Sequence, residues 1–503
     1  MDSPKRKYNV PLSLKHVHPM ATGQSGTLTL RVVRHLEDVL AKGTIEPGGR
    51  LPSERTLAAD LGVSRNTVTA AYDELEQRGL IRRLRGKGAF MCSPRGKGGS
   101  FAWSGKVSSA AHLLDEPVLD LLARTGASAL PYPLSAGTPS LECFPTAIFR
   151  STVNRIIFND FPRALAVAPT EGQWRLRESI GQWLKVEKHR VMITSGAQEG
   201  IDLLCRCLVE PGDFALVESP TYPGALQCLR AAGAQLVSWG TEWSLIELEQ
   251  LLLRYRPKLI FTTPTFQNPT GRVMPLATRE GLIDLAHRYH VPIIEDDVYS
   301  KTYLTECQIP ASLIRLDQHS QVISVSTFSK MLAPGLRVGW IIAPPYMIKQ
   351  LSLIKMRANL FTGGFAQLVL ADMLDSGNFD RHLAQLRRHH CVLRDAAICA
   401  AKTAVSDGSL SFASPAGGLY LWFRVRFGVD METFLELAFS KGVGVAPGHA
   451  FFANGIGERF FRICFTAVSE AGVRSAIEVL RDTLREMQPH RMTEPRKEAR
   501  AEF

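Results

Sequence analysis

The chain has 503 residues, of which 45% are hydrophobic and 21% are charged. This length is too great for one compact core, and the composition is far from that of disordered or fibrous proteins. No uninterrupted apolar run approaches the roughly 18 residues that a membrane span needs, so we expect a cytoplasmic protein without a membrane segment.

The formal net charge of +11 is spread unevenly along the chain. Residues 1–100 contain 17 Lys and Arg against 9 Asp and Glu. Such an asymmetry suggests an end that faces nucleic acid, although charge alone is equally compatible with a basic solvated surface. The nine cysteines are scattered without a CxxC pair, which favours reduced thiols and predicts no metal site.

Apolar spacing and capping residues predict three short helices near the N-terminus. The first covers residues 28–42 and ends at Gly43. Ser53 is placed as N-cap of the second, and Ser64 as N-cap of the third, after a tight turn at Gly62. A hairpin over residues 80–90 follows, so the order and size predict a winged helix-turn-helix.

The third helix would read DNA. Arg65 can contact guanine with both arms of its guanidinium group, and Asn66 stands beside it. Ser64 and Thr67, with the helix-terminal amides, suit a phosphate. Lys87 at the hairpin tip could enter the minor groove or meet the backbone.

Three motifs carry a resemblance to a known family: Leu51-Pro52-Ser53-Glu54-Arg55, Leu61-Gly62-Val63-Ser64-Arg65-Asn66-Thr67-Val68 and Gly86-Lys87-Gly88-Ala89-Phe90. They resemble the GntR-type DNA-binding domain over roughly residues 26–92. The resemblance implies that Arg55, Arg65 and the wing glycine Gly88 contact double-stranded DNA. We predict a DNA-binding domain over residues 20–92 and a linker over 93–130; the alternative is a three-helix module that binds no DNA.

Beyond the linker, strand-like apolar runs alternate with helical stretches. The runs cover residues 214–218, 259–263, 292–295 and 322–326. This alternation predicts a large α/β domain with a mostly parallel sheet over residues 131–487, followed by a tail over 488–503.

Several residues in this region suit the chemistry of pyridoxal 5′-phosphate (PLP). Lys330 can form an imine, and Asp296, at the end of an apolar run, can keep a pyridine nitrogen protonated. Asp297 is the rival for that role, but the Asp-x-x-Tyr spacing to Tyr299 favours Asp296. Tyr299 and Asn268 can hydrogen-bond the phenolic oxygen of the ring.

Other residues suit the remaining parts of the cofactor and its ligand. Tyr222 could stack on the ring, or it could be an ordinary packed loop residue. Arg462 could clamp a ligand carboxylate, although alternation on a strand also produces surface arginines. A strand-to-helix junction with nearby hydroxyls and one arginine is predicted to bind the phosphate, through Gly196, Ala197, Gln198, Thr327, Ser329 and Arg337.

In this order, the motifs resemble the fold-type-I PLP-dependent aminotransferases over about residues 131–487. Many relatives place a tyrosine about five residues before the glycine that corresponds to Gly172, where it reaches the partner subunit's phosphate. This chain has Ala166-Val167-Ala168-Pro169 there, so that contact is not expected.

Both halves together resemble the MocR/GabR-type bacterial regulators. The resemblance implies a homodimer, PLP bound as an internal aldimine at Lys330, and a small amine or amino acid as effector. An active aminotransferase is the rival interpretation. A regulator that senses PLP itself fits the same residues, although such a sensor would not need Arg462.

Overall fold

The computed structural model describes residues 28–41, 49–84, 88–92, 130–240, 242–304, 309–406 and 408–487. The described residues belong to two compact units, the N-terminal head (residues 28–92) and the C-terminal unit (residues 130–487). Lys87, the predicted tail and nearly all of the predicted linker lie outside the described residues. Within those residues, no helix combines the length and apolar character that crossing a bilayer requires.

The head consists of a helical bundle and a hairpin. Its elements are α1 (Leu28–Ala41), α2 (Glu54–Leu61), α3 (Arg65–Gln77), β1 (Ile81–Leu84) and β2 (Gly88–Met91). The strands β1 and β2 are antiparallel, and Arg50 forms an additional bridge to Phe90. The buried side of α3 (Val68, Ala71, Tyr72 and Leu75) lies in one cluster with Val33, Leu36 and Leu57, which gives the head its own core.

Local capping fixes the turn between α2 and α3. Ser53 Oγ accepts from Thr56 N at 3.1 Å, and Ser64 Oγ accepts from Thr67 N at 3.2 Å. Gly62 has φ 64°, a left-handed conformation that glycine adopts without a steric penalty. Both predicted N-caps are therefore confirmed, and together with Gly62 they set the direction of α3.

The C-terminal unit is a layered α/β structure. Its helices are α4 (Thr146–Leu165), α5 (Trp174–Leu184), α6 (Ala197–Leu208), α7 (Pro223–Ala231), α8 (Leu245–Tyr255), α9 (Leu276–Arg288), α10 (Leu313–Leu316), α11 (Pro345–Ala358), α12 (Gly364–Asp375), α13 (Asn378–Ala404), α14 (Met431–Ser440) and α15 (Glu470–Met487). Its strands are β3 (Tyr132–Pro133), β4 (Val191–Thr194), β5 (Phe214–Ser219), β6 (Gln235–Gly240), β7 (Leu259–Thr262), β8 (Ile293–Asp296), β9 (Val322–Thr327), β10 (Gly339–Ile342), β11 (Leu410–Phe412), β12 (Tyr420–Val425), β13 (Val443–Gly444), β14 (Ala446–Pro447) and β15 (Phe460–Cys464).

The main sheet has seven strands in the order β4-β10-β9-β8-β7-β5-β6. Only β10 runs antiparallel to its neighbours, so the predicted mostly parallel sheet is confirmed. A second, antiparallel sheet has the order β11-β12-β15-β14. Strands β7, β8 and β9 are buried on both faces, which is why apolar residues follow one another without alternation in Leu259-Ile260-Phe261 and Ile293-Ile294.

Candidate functional site

A cavity of about 220 Å³ opens at the carboxyl edge of the seven-stranded sheet. All but one of the residues predicted to bind PLP line it. The exception is Gly196, which lies directly against Arg337: a Cβ atom added there would be 2.9 Å from Arg337 Nη2. The lining residues are Gly137, Ala197, Gln198, Ile201, Tyr222, Asn268, Asp296, Val298, Tyr299, Thr327, Ser329, Lys330, Arg337, Tyr420 and Arg462.

The sheet topology explains why residues so distant in sequence meet. Parallel strands end at one edge, and ligands of such sheets bind in the crevice outside the carboxyl ends. Chain segments leaving β4, β5, β7, β8 and β9 supply most of the lining. Arg337 reaches the same edge because β10 is antiparallel and begins there, with Gly339 paired to Thr194.

Lys330 is the last residue of a short 3₁₀ turn that follows β9. Its side chain is half-buried, and Nζ donates to the carbonyl oxygen of Gly137 at 2.6 Å. Gly137 was not predicted as a site residue. A side chain at Gly137 would collide with the hydroxyl group of Tyr420, so only glycine allows the backbone to lie this close to Tyr420.

Asp296 ends β8 and is 3% exposed. Its pKa is raised to about 7, mainly by burial and then by the neighbouring Asp297, while the charge of Lys330 acts in the opposite direction. Asp296 Oδ1 has no hydrogen-bond partner among the described residues. Asp297 does not line the cavity, and its Oδ2 accepts from Ser300 Oγ at 3.0 Å, so the cavity presents Asp296 rather than its rival.

Tyr299 lies opposite a second phenol that sequence reasoning missed. The hydroxyl groups of Tyr299 and Tyr420 are 2.9 Å apart, and both side chains are buried. Burial, followed by the proximity of Tyr420, raises the pKa of Tyr299 well above its usual value. Tyr420 begins β12 in an alternating pattern that any half-buried strand shows, so only the sheet register places it in the cavity.

Arg462 is 6% exposed and faces the cavity rather than solvent. Its Nη1 donates to Asn268 Oδ1 at 2.9 Å and its Nη2 to the Ser135 carbonyl at 2.5 Å, while its Nε is buried without a partner among the described residues. The guanidinium carbon lies 4.0 Å from the centre of the Tyr420 ring. Strand register explains this contact, because Arg462 pairs with Trp422 and lies diagonal to Tyr420.

The start of α6 and the nearby arginine form a corner that we call the α6 corner (Ser195, Gly196, Ala197 and Arg337). Gly196 has φ 92° and leads into α6, which leaves the first amides of the helix without helical partners. Arg337 Nη2 donates to the Ser195 carbonyl at 2.9 Å. Such free amides and a guanidinium group together attract an anion.

Two pairs of polar side chains adjoin the α6 corner. Thr327 Oγ1 and Ser329 Oγ are 2.9 Å apart, and Thr327 Oγ1 also lies 2.9 Å from the Val338 carbonyl. Tyr222 donates its hydroxyl proton to Gln198 Oε1 at 2.8 Å. The second contact fixes the Tyr222 ring at the wall of the cavity.

The candidate DNA contacts of the head are accessible. Arg55, Ser64, Arg65, Asn66 and Gly88 are exposed, and Thr67 is half-buried. The Arg65 side chain is 71% exposed, and its only ion pair among the described residues is a long one, 3.4 Å from Nε to Glu54 Oε2. At such exposure the pair is weak, so the guanidinium group remains available to a polyanion.

Comparison with known proteins agrees with both regions. Residues 132–480 match the family described as aminotransferase class I and II, and residues 28–91 match the gntR family of bacterial regulatory proteins. The chain is a MocR-type fusion of these two families. The MocR-type chain is 27% identical to the probable rhizopine catabolism regulatory protein MocR of Rhizobium meliloti, over 88% of this chain and 91% of that protein.

This MocR-type chain is also similar to aminotransferases. Aromatic-amino-acid aminotransferase 1 of Thermococcus litoralis is 33% identical over 70% of this chain and 88% of that protein. The crystal structure of the α-aminoadipate aminotransferase LysN from Thermus thermophilus, complexed with N-(5′-phosphopyridoxyl)-L-leucine, superposes with a TM-score of 0.72 at 29% identity. The match covers 77% of this chain and 99% of that one.

The aminotransferase family implies PLP as cofactor, and the chemistry of the cavity fits it. The α6 corner offers amides and a guanidinium group to a phosphate. The unpartnered, buried Oδ1 of Asp296 is an acceptor for a protonated ring nitrogen, and Lys330 offers an amine to a carbonyl carbon. Among the described residues, no group of three His, Cys, Asp or Glu could hold a metal ion.

Proposed function

We propose that this MocR-type chain is a transcriptional regulator whose DNA binding responds to a small amine or amino acid bound at the PLP site around Lys330. The observation that supports this most directly is the presence of two complete sites on one chain. The head keeps an N-capped reader helix with an exposed Arg65, while the cavity keeps Lys330, Asp296 and Arg462. A transaminase alone has no use for the first site.

In this proposal each part of PLP has a group that would hold it. Asp296 would pair with the ring nitrogen, Tyr299 and Asn268 with the phenolic oxygen, and Tyr222 would stack on the ring. The amine of Lys330 would be the covalent attachment point. The phosphate would be held by the start of α6 at Gly196, Ala197 and Gln198, by the hydroxyl groups of Thr327 and Ser329, and by the guanidinium group of Arg337.

When bound, PLP supplies a carbon that amines attack and a ring that withdraws electrons. The chain supplies orientation and charge. Arg462 would hold a ligand carboxylate, because its Nε is buried without a partner and its Nη1 contacts only the neutral amide of Asn268. Lys330 Nζ has the Gly137 carbonyl as an acceptor whenever its amine is not bonded to the cofactor.

We further propose that the active form is a homodimer, with the two DNA-binding heads re-oriented by ligand. The strongest support is an apolar surface on and after α4, where Phe158 is 89% exposed, Leu165 68% and Val167 81%. Exposed apolar patches of this kind mark interaction sites. A ligand can shift the dimer between two arrangements only by binding one of them more tightly.

The direct test is a gel shift with DNA from upstream of the chain's own gene, using PLP-loaded protein and a panel of amino acids. Each amino acid is matched with the amine that lacks its carboxylate. We expect at least one amino acid to change the apparent Kd for DNA about fivefold or more. A fivefold change corresponds to the low end of the coupling free energies that are typical of allosteric proteins. Arg462→Met should abolish the preference for the amino acid over its amine, while Lys330→Ala should abolish the response itself.

The rival function is catalysis, and one observation favours it: the cavity holds each group that amino transfer needs, as the resemblance to the Thermococcus litoralis enzyme would lead one to expect. Steady turnover of an amino acid with 2-oxoglutarate, at a kcat near the enzyme median of about 10 s⁻¹, would support catalysis over sensing. A sensor of PLP alone would respond to the cofactor without any amine. The buried position of Arg462 argues against that version, because PLP brings no carboxylate.

A further inference from the structure

Lys355, on α11, is a buried cation that none of the roles assigned above uses. Its side chain is fully buried, and Nζ donates to the carbonyls of Thr170 at 3.0 Å and Ile193 at 2.8 Å, and to Thr362 Oγ1 at 2.8 Å. All three acceptors are neutral. A charge taken out of water without a counter-ion is costly, so this position calls for a compensating anion.

The carboxylates of this chain compensate the charge only in part. Glu171 and Glu199 are the two whose charges reach Lys355, and burial outweighs them, lowering the pKa of Lys355 to about 8. Glu199 is engaged elsewhere, because its carboxylate accepts from Ser195 N and from Asn359 Nδ2. Lys355 thus lacks a direct anionic partner among the described residues.

Two short links lead from Lys355 to the α6 corner. Ile193, whose carbonyl accepts from Lys355, lies two residues before Ser195 on the strand that enters the corner. Thr362 Oγ1 accepts from Lys355 and lies 3.4 Å from Ser195 Oγ. The ammonium group of Lys355 is therefore connected to Ser195 through a single hydroxyl group, that of Thr362. Ser195 belongs to the α6 corner, where the phosphate is proposed to bind.

We infer that Lys355 is a positioning residue for the cofactor phosphate: a buried positive charge that favours a dianion at the α6 corner without touching it. This inference rests on the proposed phosphate site. Arg337 is exposed, and solvent screens its charge, whereas the charge of Lys355 acts through the protein interior. The phosphate in turn supplies the anion that Lys355 lacks, so the two favour each other.

The test compares PLP with pyridoxal, which has the same ring and carbonyl carbon but no phosphate. Dissociation constants of both are measured on wild-type apoprotein and on Lys355→Met, which replaces the ammonium group with an uncharged chain of similar volume. Loss of one favourable charge interaction with the phosphate, at about 1.4 kcal/mol, corresponds to a tenfold change in affinity. We therefore expect the preference for PLP over pyridoxal to fall at least tenfold in Lys355→Met.

Thr362→Val is the matched control, because it removes one acceptor of Lys355 and the contact with Ser195 but keeps the buried charge. We expect its preference for PLP over pyridoxal to stay within about twofold of wild type. If Lys355→Met does not fold, Lys355→Gln, which keeps an amide donor, takes its place. Inorganic phosphate should also raise the Tm of wild-type apoprotein more than that of the Lys355 variant.

Two results would overturn the inference. Equal weakening of PLP and pyridoxal in Lys355→Met would assign Lys355 a structural role only. An equal loss of PLP preference in Thr362→Val would assign the effect to hydrogen bonding of Ser195 rather than to charge. Failure of the proposed phosphate site is distinguishable from both, since wild-type protein would then bind PLP no better than pyridoxal.

Discussion

Ser64, Arg65 and Asn66 are consecutive in sequence and exposed on the head, whereas Lys330, Asp296 and Arg462 come from separate elements and meet at one cavity. The head places its functional groups by local means, through a cap at Ser64 and a turn at Gly62. The C-terminal unit places them by sheet topology, because the carboxyl ends of its parallel strands share one edge.

The two regions also treat charge differently. The Arg65 side chain is 71% exposed, and its weak pair with Glu54 leaves the group free to meet a polyanion at low desolvation cost. Arg462 is 6% exposed and has two neutral hydrogen-bond partners. An exposed cation can meet anions in many geometries. A buried cation selects its ligand, because the buried group must be hydrogen-bonded by a specific partner.

The largest effect is expected at Lys330, the proposed covalent attachment point for PLP. Lys330→Ala should abolish the absorbance near 420 nm, roughly the wavelength that a PLP imine implies, since no other lysine lines the cavity among the described residues. Absorbance spectra of protein reconstituted with PLP provide the measurement. Lys349→Ala, which removes an exposed lysine of α11, is the control and should keep the spectrum. An unchanged spectrum in Lys330→Ala would remove the assignment.

The next effect concerns the burial of Asp296. Its pKa is raised from 3.8 to about 7, so the folded state retains a proton that the unfolded state loses above pH 4. Stability contributed by this proton is present below about pH 4 and is lost as the pH rises to about 7. Asp296→Asn should therefore stabilise the apoprotein by about 2–4 kcal/mol at pH 8 and leave its stability almost unchanged near pH 4.

Thermal unfolding of the apoprotein across this pH range measures the effect. Burial also raises the pKa values of Asp297 and Glu295. The variant should therefore keep part of the pH dependence of stability that wild type shows. Asp284→Asn, at an exposed carboxylate of α9, is the matched control and should reproduce the wild-type curve. If the stability of Asp296→Asn depends on pH as steeply as that of wild type, burial of the ionised Asp296 does not destabilise the folded protein.

A smaller effect is expected at the reader helix. Arg65→Ala should weaken binding to the upstream DNA by about 1–3 kcal/mol, the usual range for an arginine that contacts a base. Gel shifts at fixed salt give the change in Kd. Arg78→Ala provides the control, because Arg78 lies at the other end of α3, where it pairs with Glu37 and Glu74. If both variants bind alike, α3 does not enter the groove by its N-terminus.

The smallest effect tests whether local capping holds the head together. Ser53→Ala removes the acceptor of Thr56 N and should destabilise α2 by about 1 kcal/mol. Hydrogen exchange of the full chain should show amides of α2 exchanging about fivefold faster, with the C-terminal unit unchanged. Faster exchange across β4 to β10 as well would contradict the view that this cap acts within the head alone.

The sequence by itself determined most of the head and most of the residues that line the cavity. An N-cap or a left-handed glycine acts within about one helical turn, which is why Ser53, Ser64 and Gly62 could be predicted. The apolar runs of β5, β7, β8 and β9 predicted a parallel sheet, because strands buried on both faces need continuous apolar sequence.

Only the tertiary structure decided which distant groups touch. Tyr420 and Gly137 belong to the cavity because strand register and a close backbone approach bring them there, and neither is marked by its own neighbours in sequence. The spacing to Tyr299 already favoured Asp296 over Asp297 in the sequence, and the fold turns Asp296 toward the cavity, since adjacent residues of an extended chain point in opposite directions. The role of Lys355 could not be predicted from the sequence for the same reason, because burial of a charge depends on residues that are distant in sequence.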